Sequence, residues 1–310
     1  MKLSKKVLAC ILLMPLVFIG SKATLAQQDP MFTYYLQNPV ALNPAIAGTV
    51  NGLNMSLLTR HQWLGIDGRP ASYSFGAHTP YIKQNMGLGL NISTDQAGPM
   101  RFTNFTASYA YKIKLVEGLD LSMGLKAGVS SYSARIGGLY VNDPSDPNFA
   151  HDDKWVTPNL GVGFYAFAEN YYAGFSIPRL VEVKLNKEYR ESGQPYNPQL
   201  YLMGGYKFQI NRDWDISPSS LIGIMGGSPL SVDIMGQVEY LKRIQFGTHY
   251  RIGDALGLFV SGNVYDNFII GYAFDFSLNK LSGMNSGTHE IILTYRINDI
   301  WNNVGDKWKF

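Results

Sequence analysis

Apolar and polar residues alternate one for one through about fourteen short segments of this chain. In the stretch 86–93, Met86, Leu88, Leu90 and Ile92 form one set, and Gly87, Gly89, Asn91 and Ser93 form the other. Successive side chains of a strand point to opposite faces, so each such segment has one greasy face and one small, polar face. A soluble sandwich turns the greasy faces inward. A membrane barrel turns them outward to lipid and keeps the polar faces in its lumen.

The alternation places strands at 53–61, 71–79, 86–94, 102–114, 119–132, 159–168, 171–177, 198–210, 213–223, 230–240, 243–252, 255–265, 267–277 and 288–297. Most of these suit a tilted transmembrane strand of roughly 9–11 residues. Lys112, Lys126, Asp233, Glu239, His249, Arg251, Asp275 and Arg296 all fall on polar faces. A Lys or Arg facing lipid at mid-depth costs about 2–4 kcal/mol, so this placement favours the barrel. Met235 is an exception, an apolar residue on a polar face. Tyrosines gather near strand ends, at Tyr111, Tyr132, Tyr171, Tyr240, Tyr250, Tyr265 and Tyr295, where barrels carry aromatic girdles. The expected fold class is all-β: a transmembrane antiparallel β-barrel of about 14 strands, located in the outer membrane.

Loop lengths give the topology. With both termini periplasmic, even-numbered connections face the periplasm, and all of them are short. The two longest, 133–158 and 178–197, are the fifth and seventh and face outward. Long outside and short inside is the pattern of outer-membrane barrels.

Residues 1–26 have the layout of a secretory signal. Lys2, Lys5 and Lys6 precede an apolar run from Val7 to Gly20, and Ala26 offers a cleavage site. The single cysteine, Cys10, sits near the start of that run, a poor match to a lipoprotein box, and leaves with the peptide. The mature chain then has no thiol or disulfide chemistry. Removing the four lysines of 1–26 from 26 basic residues leaves 22 against 23 acids, a net charge of −1. No basic stripe for nucleic acid remains. No long apolar run follows residue 26, which argues against a helical membrane protein.

Residues 27–50 do not fit the strand pattern. They hold Asp29-Pro30, Asn38-Pro39 and Asn43-Pro44, and a proline cannot donate to a β-ladder. The segment is too apolar for a solvated tail. Folding into the lumen as short helical turns would hide Met31, Phe32, Tyr34, Tyr35 and Leu36, making a plug. The alternative is a periplasmic arm. Four parts result: a signal peptide at 1–26, the plug segment at 27–50, the barrel at 51–297 and a periplasmic C-terminal tail at 298–310.

Chemical constellations are sparse. The five histidines (His61, His78, His151, His249 and His289) show no His-x-x-x-His or Cys/His spacing, and no Gly-x-Ser-x-Gly elbow occurs. No catalytic, cofactor or metal residues are assigned. His249 and Arg251 fit lumen hydrogen-bond networks. The run Asp143 to Asp153 has four carboxylates, which could hold calcium or simply form a solvated turn.

Several blocks resemble the PorP/SprF family of outer-membrane proteins of the type IX secretion and gliding machinery. They begin with Gln28-Asp-Pro-Met-Phe32, Asn38-Pro39 and Leu42 through Gly48, then Arg60 through Gly68, Ala77 through Pro80 and Gly87 through Asn91. Later come Gly124 through Gly128, Tyr171 through Pro178, Pro229 through Asp233, Tyr250 through Ala255 and Ser286 through Glu290. Their order and spacing cover nearly the whole mature chain. The resemblance implies a non-enzymatic barrel that partners a periplasmic PorK/PorN-like ring and a peptidoglycan-binding PorE-like protein, or secreted adhesins and cargo. A transport channel for small or apolar solutes is the alternative. The tail beyond the last strand departs from the family pattern, and its Trp301, Trp308 and Phe310 are candidate partner contacts.

Overall fold

The structure is a computed structural model that describes residues 32–81, 85–137, 152–182, 197–265 and 267–297. Its strands are β1 (Leu53–His61), β2 (Ala71–Tyr81), β3 (Met86–Ala97), β4 (Met100–Val116), β5 (Leu119–Ala134), β6 (Asp153–Phe167) and β7 (Tyr171–Glu182). β8 (Gln199–Tyr206) is interrupted at Lys207 and resumes at Phe208–Gln209. The rest are β9 (Trp214–Met225), β10 (Ser231–Tyr240), β11 (Ile244–Arg251), β12 (Ala255–Tyr265), β13 (Phe268–Ser277) and β14 (Thr288–Ile297).

Each strand pairs antiparallel with its sequence neighbour. β14 then pairs with β1 from Leu53↔Ile297 to His61↔His289, which closes a 14-stranded barrel without a free edge. The alternation sets which face is inside. In β5, Met123, Leu125 and Val129 are exposed, whereas Ser122, Gly124, Lys126 and Ser130 are buried. Leu125 is 63% exposed beside Lys126 at 5%, so the apolar residue faces outward and the charged one inward. Phe105, Tyr109, Phe164, Ile234, Phe246, Leu258 and Ile291 continue the outward apolar belt. No described helix is long and apolar enough to cross a membrane; the strands do the crossing.

Two strands run further than their sequence suggests. β6 starts at Asp153 rather than at residue 159, because Asp153–Pro158 pair with Val129–Ala134. Pro158 is carried inside the ladder opposite Val129 instead of ending the strand. β7 passes Pro178 through a register shift opposite Leu160–Val162 and reaches Glu182. A bulge lets a strand hold a residue that cannot donate. The fifth and seventh connections therefore shorten to 135–152 and 183–198, though they remain the longest. The acidic run Asp143–Asp153 lies mostly outside the described residues; its Asp152 carboxylate accepts from the backbone N–H of Gly137.

Candidate functional site

Residues 32–50 lie against the inward faces of the barrel. Asn-Pro pairs build the local structure. Asn38 precedes a single α-turn, Pro39–Leu42, and Asn43 precedes a 3-10 turn, Pro44–Ile46. Proline suits the first helical position, where its missing N–H would be unpaired anyway. The Asn43 side chain accepts from Ala45 N and caps the second turn. A further 3-10 turn spans Tyr35–Gln37.

The first anchor is ionic. Arg60 of β1 reaches Asp275 of β13 at 2.7 Å and Glu290 of β14 at 3.3 Å, with all three side chains nearly free of solvent contact. Glu290 also accepts from the backbone N–H groups of Thr33 (2.9 Å) and Tyr34 (3.1 Å). The Thr33 hydroxyl donates to Asp275 and accepts from Arg60. One cation and two carboxylates thus pair with one another and hold the segment's described start, with Arg60 Nε left without a hydrogen-bond partner among the described residues. Buried charges require such pairing.

Further anchors follow along the segment. Ser56 donates to the Gln37 carbonyl at 2.5 Å, and the Asn38 amide donates to Ser74 at 2.8 Å. Lys126 donates to the Ala41 carbonyl at 2.7 Å, and Ser176 to that of Leu42 at 2.8 Å. The Asn43 amide donates to the Phe164 carbonyl at 3.0 Å, a group on the wall of β6. Tyr34 extends its hydroxyl to Gln237 and Gln245 and stacks on Phe259 at 4.3 Å between ring centroids.

An apolar pad completes the contact. Tyr34, Tyr35, Val40 and Ile46 of the segment cluster with Leu58, Tyr201, Met203, Leu221, Met235, Phe259 and Ile292 of the wall. Met235, the exception in the sequence pattern, belongs to this pad and is fully buried. Each large side chain so buried contributes about 1.5–3 kcal/mol.

Glycines give the segment room. A Cβ at Gly76 would overlap the Asn38 side chain, one at Gly124 the backbone of Ala45, and one at Gly163 the Asn43 side chain. At Gly89 a Cβ would sit 2.9 Å from Val40 Cγ1. Gly124 and Gly163 are direct cross-strand partners, so the wall is bare where the second turn lies. Gly48 has φ +71 and packs against Gly87, a conformation and closeness that a side chain does not allow.

The segment has a direction. Thr33 meets Arg60, Asp275 and Glu290, all within two positions of the strand ends that carry the longer connections. Gly48 meets Thr79, Pro80 and Gly87 at the end with the short turns. The chain therefore descends through the lumen from the long-connection end and enters β1 at the short-turn end. The sequence reading put both termini on the periplasmic side. The described start of the segment, Phe32 and Thr33, lies toward the long-connection end, and both termini fall outside the described residues.

Of the residues singled out in sequence, Tyr35, Asn38 and Asn43 are buried, as is Pro44, while Phe32 and Pro39 are half-buried. Asp29, Pro30, Trp301, Trp308 and Phe310 lie outside the described residues. His249 and Arg251 share the Asp233 carboxylate, with Arg251 Nε at 2.9 Å, in a network separate from Arg60. Sequence reasoning missed Arg60, Glu290 and the inward apolar pad. The doublets Leu57-Leu58 and Ile291-Ile292, which break strict alternation, were the available signal.

A family model for the type IX secretion system membrane protein PorP/SprF matches residues 24–295. No curated protein matches the chain. Among solved structures it is similar to the Acinetobacter baumannii outer membrane protein Omp33, with 6% identity and a TM-score of 0.49 over 80% of this chain and 98% of that one. A Pseudomonas aeruginosa FadL homologue shares 11% identity at a TM-score of 0.45, over 83% and 93% of the two chains. The CymD monoaromatic hydrocarbon channel shares 13% at 0.45, over 86% and 94%. Likenesses of this degree carry no argument about function. The family is one of secretion-system membrane proteins rather than of enzymes. With its outward apolar belt and closed ladder, the chain is an outer-membrane β-barrel and belongs to the PorP/SprF family of type IX secretion system membrane proteins.

Proposed function

We propose that this barrel is an anchoring component of the secretion apparatus, its lumen plugged by the N-terminal segment, and that it passes no solute. The observation that carries the reading is the fit of that segment to the wall. A conduit needs an open lumen, whereas here glycines, an apolar pad and the Arg60 network are all matched to residues 33–48. Function then resides on the two rims. On the short-turn rim, Arg212, Lys242 and Arg243 are exposed, and Leu241 and Lys242 adopt positive φ in a tight turn. Short turns bring a periplasmic partner close to the membrane. A PorK/PorN-like ring or a PorE-like peptidoglycan-binding protein fits that rim, with Trp301, Trp308 and Phe310 as aromatic anchors of the kind enriched at interfaces. The long connections would meet adhesins or cargo outside.

The competing reading is a channel for small or apolar solutes, and a cavity of ≈ 90 Å³ beside the segment is the observation on its side. Deleting the gene separates the two. An anchor's loss blocks secretion or surface display of large proteins while small-solute uptake continues, and the tagged barrel copurifies with periplasmic machinery from native membranes. Intact secretion with impaired solute uptake would reject the anchor.

A further inference from the structure

The same cavity contains a buried cation with no carboxylate in ion-pair contact, although Asp95 also lines it. Lys126 lines it and is 5% exposed. Its ammonium donates to the Ala41 carbonyl, and no carboxylate pairs with it among the described residues. Other buried cations of the lumen are paired: Arg60 with Asp275 and Glu290, and Arg251 with Asp233. Leaving one buried ammonium unpaired is costly unless something else neutralises it. A second group there is also unsatisfied. Asn159, 1% exposed, donates its amide to Asn104 and Ser130, while its Oδ1 has no partner.

We propose that this cavity is a binding site for a small acidic sugar of the hexuronic acid class, with the carboxylate on Lys126. Three features point to that chemistry together. The ammonium retains donors for a carboxylate and is held in place by Ala41. Around it the wall presents amides and hydroxyls, among them Asn91, Asn104, Thr106 and Asn159, and the orphan Asn159 oxygen accepts from a ring hydroxyl. Tyr35 and Tyr201 add flat apolar faces suited to a sugar ring. Arg179, over the Phe102 ring at 4.9 Å, gives the lining a second cation, so it carries two cations against one carboxylate, Asp95. At ≈ 90 Å³ the cavity is several times the roughly 10–15 Å³ that admits one water, room for a small polar ligand. The site extends from mid-strand, at Lys126 and Asn91, toward the long connections, at Asp95 and Arg179. The assignment is independent of the secretion role.

Titration calorimetry on the purified full-length mature barrel in detergent tests it, with glucuronate, glucose and acetate at equal ionic strength. Glucuronate should bind one to one, with both glucose and acetate weaker by about tenfold or more. Lys126→Gln should remove that preference for the acid, and Asn159→Leu should weaken glucuronate while leaving acetate unchanged. The wild-type comparison needs no variant, so a variant that fails to fold does not rescue the idea. Absence of saturable glucuronate binding to the folded wild type overturns it. So does equal affinity for glucose, which discards the charge, or for acetate, which leaves a plain anion site.

Discussion

Replacing Arg60 by Met should release the N-terminal segment from the lumen. The guanidinium is the only cation within 4 Å of Asp275 and Glu290 among the described residues, and both carboxylates are almost fully buried. Methionine keeps much of the side-chain volume and removes the charge. Asp275 and Glu290 then face each other uncompensated as long as the segment keeps water out. Breaking a buried pair by removing one partner costs about 3–5 kcal/mol. Undocking hydrates the carboxylates, so the penalty applies mainly to the docked state. At about 1.4 kcal/mol per tenfold, docking weakens roughly 140- to 3,700-fold. Cys10 is the one cysteine of the sequence and lies outside residues 27–310, so in a chain of those residues a cysteine introduced at the fully buried Val40 is a clean reporter. Maleimide labelling of Val40→Cys should accelerate by that factor when Arg60→Met is added. Adding Asp275→Asn and Glu290→Gln should restore slow labelling, because a wholly neutral network has no charge to hydrate. Unchanged labelling in a folded Arg60→Met barrel would refute the reasoning.

Other perturbations follow from the same geometry. Gly163→Val should force Asn43 away from the wall and cost about 1–3 kcal/mol, read as a lower melting temperature and faster labelling at Val40→Cys, whereas Gly236→Val, on a strand with open space around it, should leave labelling unchanged. Asn43→Ala should cost about 1–3 kcal/mol, since it removes the cap on Ala45 and a donor to the Phe164 carbonyl, and proteolysis of the segment should quicken. Truncation after Ile297 should leave a barrel that inserts but no longer copurifies with periplasmic partners. Retained copurification and secretion would exclude Trp301, Trp308 and Phe310 as the contact, and failure to insert would mark the tail as an assembly signal.

Much of the barrel was legible because lipid and lumen impose opposite chemistry on alternate residues. Met123, Leu125 and Val129 had to face lipid once Lys126 faced inward. Prolines misled the strand bounds, since neither Pro158 nor Pro178 ends its strand. The interior was less legible. A lumen pairing such as Arg60 with Glu290 joins residues far apart in sequence, and only barrel closure brings β1 beside β14. Inward apolar residues such as Leu58, Met235 and Ile292 look like lapses in alternation until a second apolar surface is laid against them. A glycine carries no sequence signal of what fills the space it leaves, and Gly87, Gly89 and Gly124 are filled by Ala47, Val40 and Ala45. The segment's direction had no sequence signal, because it depends on which strand ends Thr33 and Gly48 meet.

Single-molecule conductance in planar bilayers tests the central claim most directly. The mature barrel should insert without steady ionic current, and a barrel lacking residues 27–50, verified as folded by its heat-modifiable mobility, should conduct. Steady current through the intact barrel, or silence in the folded deletion, would contradict a lumen closed by its own N-terminal segment.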